Sequence, residues 1–167
     1  MLPLFFSALL AADADLARWV EERHGAVETE SGRIISVKLD FAWVTDRDLD
    51  RLSKLSDLRK LDLSLSLATD AGMERLKGLE NITDLNLTSV ELITDAAISS
   101  IRGWKKLERL NLRGTDITDT SLEYLARLAS LRSLYVSHTE ITIYGLQHLA
   151  KLRNHEELAV GGNKISG

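Results

Sequence analysis

Hydrophobic residues return along the chain at a nearly constant interval of 24 residues. Each repeat opens with a short apolar-x-x-apolar-x-apolar segment, and these segments begin at Ile34, Leu58, Ile82, Leu107 and Leu131. The interval from Ile82 to Leu107 is one residue longer, so the third repeat needs an insertion in a loop within 88–92. A fixed period in this range predicts a solenoid, in which each repeat buries its apolar face against its neighbours.

Each repeat contains two hydrophobic spacings. Alternating apolar residues at its start, such as Leu61 and Leu63, predict a β-strand, whereas the later spacing of three, as in Met73, Leu76 and Leu79, predicts helical turns. Seven apolar positions recur in each of the five repeats. All 35 are occupied by apolar residues, although only 44% of the chain is hydrophobic, so we assign them to the core.

A threonine precedes the helical part of every repeat: Thr45, Thr69, Thr94, Thr118 and Thr142. A threonine hydroxyl accepts a hydrogen bond from a free N–H group of the first helical turn, which predicts five N-caps. In four repeats an aspartate follows, and its negative charge suits the positive end of the helix. Ile143 takes this place in the fifth repeat, where we expect a weaker cap.

The first 33 residues lie outside the repeats. Residues 1–14 contain an apolar run of about eleven residues, too short to span a bilayer as a helix and typical of a signal peptide. This segment favours an exported or periplasmic location over a cytoplasmic one. Because no Lys or Arg precedes the run, the alternative is an apolar segment folded onto the solenoid. Residues 15–33 predict an N-terminal cap, with a helix that Gly25 ends in left-handed geometry and then a β-hairpin.

Composition and short motifs narrow the function classes. The net charge of −4 argues against binding to nucleic acid or to an anionic membrane, which normally requires a basic surface. The chain has no cysteine, and it contains no metalloprotease, phosphate-loop or nucleophile-elbow motif. We therefore expect no catalytic residues, no cofactor and no metal site.

The repeat unit LxxLxL, followed by a polar position and I-T-D-x-x-L-x-x-L, resembles leucine-rich repeats. It is similar to bacterial internalin-like repeats and to the cysteine-containing class. The position usually held by cysteine or asparagine is here Ala42, Ser66, Thr115, Thr139 and Asn163. The resemblance covers residues 34–167, as five full repeats and a partial sixth. It implies an α/β solenoid with a parallel β-sheet on the concave face, short helices on the convex face, and a role in binding protein partners.

Polar residues that alternate with the strand leucines are expected to face solvent on the concave sheet, in rows about 5 Å apart. The cluster with the richest chemistry comprises Arg109, Asn111, Arg113, Tyr135 and His138. Arginine and tyrosine are enriched at binding hot spots, so we predict a docking surface here, and an acidic segment is one partner that it suits. The alternative is a solvated face whose charges maintain solubility.

A second candidate surface is apolar. Phe41 and Leu65 share one position of the repeat, Trp43 and Leu67 share another, and Leu92 lies near them. None belongs to the 35 core positions, and an exposed ladder of this kind usually marks an interface. The alternative is that the N-terminal cap, or residues 2–12, cover it.

The sequence therefore predicts a non-enzymatic module that binds a protein or peptide partner through the concave face and the adjoining strand-to-helix edge. We expect no nucleic-acid partner, no transmembrane span, and a monomer or weak homo-oligomer. The alternative function is structural, with self-assembly through the apolar edge or the C-terminal end.

Overall fold

The computed structural model describes residues 11–40, 43–150, 156–163 and 165. The helices are α1 (Ala11–Glu21), α2 (Asp46–Leu52), α3 (Asp70–Leu76), α4 (Asp95–Ser100), α5 (Asp119–Leu125) and α6 (Ile143–Leu149). The strands are β1 (Ala26–Glu30), β2 (Arg33–Lys38), β3 (Lys60–Asp62), β4 (Asp84–Asn86), β5 (Arg109–Asn111), β6 (Ser133–Tyr135) and β7 (Glu157–Ala159). The strands form one sheet in sequence order, with β1 antiparallel to β2 and the others parallel.

The predicted apolar positions form one continuous core between this sheet and the helices α2 to α6. Of the 35 positions, Leu146 is only partly buried and Leu152 lies outside the described residues; every other one is buried. Trp104 occupies a leucine position and is fully buried. Its indole Nε1 donates to the backbone carbonyl oxygen of Lys77 in the preceding repeat, at 3.2 Å. The α/β solenoid predicted from the sequence is confirmed.

Four of the five threonines cap their helices through the hydroxyl as predicted, whereas the hydroxyl of Thr45 donates to Asp48 instead. The four, Thr69, Thr94, Thr118 and Thr142, accept a hydrogen bond from the backbone N–H two residues later, at 3.2–3.3 Å. At Thr45 the Asp48 carboxylate accepts from the threonine N–H at 3.0 Å. The cap bond of Thr142 is as short as the others, so Ile143 removes a charge from this helix end but not the hydrogen bond.

The aspartates that follow the threonines also link neighbouring repeats. Asp46, Asp70, Asp95 and Asp119, here called the aspartate ladder, each accept from the backbone N–H and the hydroxyl of the threonine in the next repeat, at 2.6–2.9 Å. A Cβ atom on Gly72 or Gly145 would overlap the carboxylate of Asp46 or Asp119, so these glycines make room for the ladder. Each carboxylate thus ties one helix start to the next.

The N-terminal helix and hairpin cover the first repeat. Helix α1 buries Leu16, Ala17, Trp19 and Val20 against the core, and the buried Asp13 accepts from the N–H of Ile34 at 3.1 Å. The expectation for Gly25 is wrong: the left-handed residue after α1 is His24, with φ of 60°. Gly25 is needed for space, because a Cβ there would overlap the Lys38 carbonyl oxygen.

Helix α1 begins at Ala11, within the segment 1–14 that the sequence assigns to a signal peptide or apolar segment. Residues 1–10 lie outside the described residues, so the nature of this segment stays a prediction. Among the helices that the structure describes, none is both long and apolar enough to cross a membrane.

The insertion in the third repeat forms a tight turn at the edge where the strands end. Val90 is fully buried at the position that Ser66 and Thr115 occupy in the neighbouring repeats, so the extra residue follows it. The N–H of Ile93 donates to the carbonyl oxygen of Val90 at 3.1 Å, and this bond closes a turn whose central residues are Glu91 and Leu92. The insertion therefore places Leu92 at the surface and leaves the core frame intact.

Candidate functional site

The concave face of the sheet presents two rows of side chains in the predicted register. Strand pairing aligns the first row as Ser36, Lys60, Asp84, Arg109, Ser133 and Glu157. It aligns the second as Lys38, Asp62, Asn86, Asn111, Tyr135 and Ala159. Members of both rows from β2 to β6 line a shallow groove of about 360 Å³, here called the concave groove.

Two residues of the predicted cluster have partners within the chain. The Arg109 guanidinium donates through Nε to the Asp84 carboxylate in the neighbouring strand, and this hydrogen bond raises the pKa of Arg109 above its usual range. The Tyr135 hydroxyl donates to the Glu157 carboxylate. These contacts hold both side chains over the sheet, so an incoming partner meets an ordered surface rather than free side chains.

The bond between Tyr135 and Glu157 predicts an altered titration of the phenol. Donation to the carboxylate stabilises the neutral phenol and raises the pKa of Tyr135 above its ordinary value of 10.0. Any stability from this bond is present below that ordinary value and is lost as the pH rises through the higher pKa of the folded state. We expect Glu157→Gln to lower the pKa of Tyr135, measured by NMR of ring-labelled tyrosine. An unchanged pKa would show that the bond is not formed in solution.

Asn111 and Arg113 stand where β5 ends. The side-chain oxygen of Asn111 accepts from the backbone N–H of Arg113 at 3.1 Å, as Asn86 does from Thr88 at 3.1 Å and Asp62 from Ser64 at 2.9 Å. Asn111 therefore helps to turn the chain at the strand end. The exposed guanidinium of Arg113 forms no ion pair with the residues that the structure describes, so it is open to a partner.

His138 lies outside the concave groove, in the turn that follows β6. Its backbone is left-handed, with φ of 56°, as are the backbones at the same position of the other described repeats, at Leu65, Ser89, Gly114 and Gly162. The imidazole lies against Gly162, because a Cβ there would overlap the ring. The structure thus brings Arg109, Asn111 and Tyr135 together at the sheet, with Arg113 at its edge and His138 beyond it.

The second predicted surface is exposed. Trp43, Leu65, Leu67 and Leu92, here called the apolar edge, have exposed fractions of 84%, 43%, 46% and 57%. Phe41 lies outside the described residues. The apolar edge is exposed although α1 and the β1–β2 hairpin are in place, so the described part of the N-terminal cap does not cover it. Residues 2–10 lie outside the described residues, so covering of the apolar edge by this segment stays a prediction.

The contacts of Arg109 with Asp84 and of Tyr135 with Glu157 were not predicted, although the strand register contains a signal for them. Asp84 and Arg109 are neighbours in one predicted row, and Glu157 is a diagonal neighbour of Tyr135. Opposite charges on adjacent strands interact, so this pairing was available from the register alone. Among the described residues, no group of three or more His, Asp or Glu side chains is placed to hold a metal ion.

The family model for the leucine rich repeat matches residues 80–141. Over this segment the chain resembles the leucine-rich repeat family. Comparison with curated protein sequences finds no match.

Solved structures of leucine-rich-repeat solenoids share the fold of this chain. It is similar to an internalin, InlF, from Listeria monocytogenes, with 23% identity, a TM-score of 0.66, and coverage of 79% of this chain and 36% of the internalin. It is also similar to internalin C2 of the same organism, with 24% identity, a TM-score of 0.66, and coverage of 94% and 66%. The PEPR1–AtPEP1 structure is similar at 20% identity, with a TM-score of 0.57 and coverage of 81% and 19%. The chain thus spans about a third of the first internalin and about two thirds of the second.

Proposed function

We propose that this chain is a non-enzymatic leucine-rich-repeat module that binds a protein or peptide partner. The observation that supports this most is the concave groove, which extends across β2 to β6 and adjoins the apolar edge. A rigid sheet that offers several ordered polar groups beside exposed apolar side chains has the composition of a protein interface. The proposal includes no catalytic step and no cofactor.

Arg109, Arg113 and Tyr135 are proposed as the main contacts in the groove. Arginine and tyrosine combine a large contact area with directional hydrogen bonding, and they dominate the energy of many interfaces. Arg109 and Tyr135 are already oriented by Asp84 and Glu157, which lowers the entropy lost on binding. The PEPR1–AtPEP1 structure has a similar fold and pairs two components, which supports a role in binding.

Replacing Arg109, Arg113 and Tyr135 together by alanine should weaken partner capture. We expect the amount captured at limiting bait to fall about tenfold or more, because the loss of one strong contact already removes roughly 2 kcal/mol. The measurement is affinity capture from the cells that produce the protein, with identification by mass spectrometry, and circular dichroism confirms folding.

The matched control replaces Arg102, Arg127 and Tyr144 by alanine. These three residues have the same types and are all exposed. Arg102 lies in the turn after α4, Arg127 lies in the turn after α5, and Tyr144 lies on α6. Capture should survive this change. Equal capture by wild type and by the groove variant would discard the groove as the contact surface.

A second candidate function is self-assembly through the C-terminal end. Leu158 on β7 is 42% exposed, and Ile143 and Tyr144 are exposed at the start of α6. Solution molar mass separates the two candidates. A monomer at every concentration favours partner binding, whereas a mass that rises with concentration and falls on Tyr144→Ala favours self-assembly.

A further inference from the structure

One position of the repeat changes from apolar to acidic along the solenoid. It is occupied in successive repeats by Trp43, Leu67, Leu92, Asp116 and Glu140, all of them exposed, here called the edge row. Each member directly precedes a buried core residue, which fixes the alignment in spite of the insertion. Glu91, also exposed, adds a third carboxylate beside Leu92.

Backbone hydrogen bonds join neighbouring members of the edge row at three of its four steps. The N–H of Leu67 donates to the carbonyl oxygen of Val44 at 2.9 Å, and the N–H of Asp116 donates to that of Ile93 at 3.0 Å. The N–H of Glu140 donates to the carbonyl oxygen of Ile117 at 3.1 Å. At the fourth step, from Leu67 to Leu92, the two repeats are joined on either side of the row by the Leu65 N–H to the Thr88 carbonyl oxygen at 2.9 Å and the Thr94 N–H to the Asp70 carboxylate at 2.8 Å. The row is therefore a continuous surface that advances by about one strand spacing per repeat, roughly 4.8 Å.

We propose that the edge row binds one amphipathic helix of a partner protein, whose contact face is apolar at one end and basic at the other. This rests on the proposed function, a module that binds protein, and it assigns the chemistry of the partner at the edge. The apolar end of the helix would meet Trp43, Leu67 and Leu92. The basic end would meet Glu91, Asp116 and Glu140.

The spacing of the edge row favours a helix over an extended peptide. Residues on one face of a helix recur about every 5.4 Å along its axis, close to the strand spacing of roughly 4.8 Å. Alternate residues of an extended chain recur about every 6.6 Å and lose register within two repeats. A helix can therefore place one side chain against each successive member of the row.

Charge favours a basic end to this helix. Glu91 and Asp116 form no ion pair with other residues within the described ranges, and both are exposed. Complementary charge across an interface selects partners and fixes their register. The same carboxylates disfavour an anionic membrane as the occupant. A second copy of the chain would normally bury about 800 Å² per partner, more than a row of five side chains offers.

The first experiment selects the helix without assuming its sequence. A phage-displayed library of helical 18-residue peptides is bound to the immobilised full chain, after depletion on the variant Leu67→Glu/Leu92→Glu, whose folding is checked by circular dichroism. We expect enriched peptides with apolar residues at helical spacing near one end and Lys or Arg near the other. Enrichment of acidic peptides, or of peptides without helical spacing, would overturn the proposal.

The second experiment reverses the charges first on the protein and then on the peptide. The best enriched peptide is labelled with fluorescein and its binding is followed by anisotropy. Glu91→Lys/Asp116→Lys should weaken binding about tenfold, because attraction becomes repulsion at two positions. The same peptide with its basic residues changed to Glu should bind this variant more tightly than it binds the wild type. Absence of that rescue would contradict the proposal.

A matched variant controls for net charge. Asp15→Lys/Glu80→Lys makes the same change in net charge at exposed residues on the opposite side, where the strands begin, and should leave the affinity unchanged. Peptide binding lost in the groove variant but not in the edge variants would overturn this inference and leave the proposed function standing. No binding of any peptide to either surface would count against both.

Two further measurements test whether a membrane or a second copy of the chain occupies the edge row instead. Co-sedimentation with vesicles of phosphatidylcholine and phosphatidylserine should leave the protein in the supernatant. Light scattering should give a molar mass that Trp43→Ala does not change. Vesicle binding that depends on Trp43, or a dimer that Trp43→Ala dissociates, would replace the helix with a membrane or a second copy.

Discussion

Replacing Trp104 by alanine is expected to lower the free energy of unfolding by about 3–5 kcal/mol. The indole is fully buried where the other repeats have leucine, so its removal leaves a large cavity between the third repeat and its neighbours. The change also removes the donor to the Lys77 carbonyl oxygen, a bond that joins the second and third repeats. Urea unfolding followed by circular dichroism gives the free energy.

Trp43→Ala is the matched control, because it deletes the same side chain from the surface. Trp43 is 84% exposed and outside the core, so the free energy of unfolding should change by no more than about 0.5 kcal/mol. A large loss for Trp43→Ala would mean that the apolar edge is covered in solution. A loss for Trp104→Ala as small as that for Trp43→Ala would contradict the assignment of the core.

The contrast between these two tryptophans shows why the fold was predictable from the sequence. A solenoid repeats its packing, so a residue is placed by its position in the repeat rather than by its type. Trp104 falls on a leucine position and is buried, whereas Trp43 falls between core positions and is exposed. The strand register, and with it both rows of the concave groove, follows from the same alignment.

Contacts between repeats were harder to predict. The aspartates after each threonine were interpreted as charges at the start of their own helices, but the structure shows that they also bind the threonine of the next repeat. The period gives the place of a side chain within its repeat. Which residue of the next repeat a side chain contacts depends on the rotation and rise between the two repeats. The hydrophobic pattern does not specify these two quantities, because they depend on how the side chains pack.

The candidate site was predicted only in part for a related reason. The register placed Arg109 and Tyr135 correctly on the concave face, but it did not reveal that Asp84 and Glu157 hold them. His138 was grouped with these residues because it is near them in sequence. Its left-handed backbone places it in the turn beyond the sheet, a conformation that a sequence pattern built on strand alternation does not predict for histidine.

Asp95→Ala is expected to lower the free energy of unfolding by about 3 kcal/mol, since it removes the largest set of bonds in the aspartate ladder. The carboxylate accepts from the N–H of Thr118 at 2.9 Å and from its hydroxyl at 2.6 Å. It also accepts from the N–H of Ser121 at 3.1 Å and from its hydroxyl. Alanine leaves two backbone donors at the start of α5 without this acceptor, while the core is unchanged.

Asp116→Ala is the control for this change, because Asp116 is exposed and forms no side-chain hydrogen bond with the residues described. It should alter the free energy of unfolding by no more than about 0.5 kcal/mol. Stability in a solenoid is approximately a sum over repeats and their interfaces, so weakening one interface can also uncouple the two halves. We therefore expect Asp95→Ala to reduce the urea dependence of the transition as well as its midpoint. If Asp95→Ala is no more destabilising than Asp116→Ala, the ladder does not hold the third and fourth repeats together.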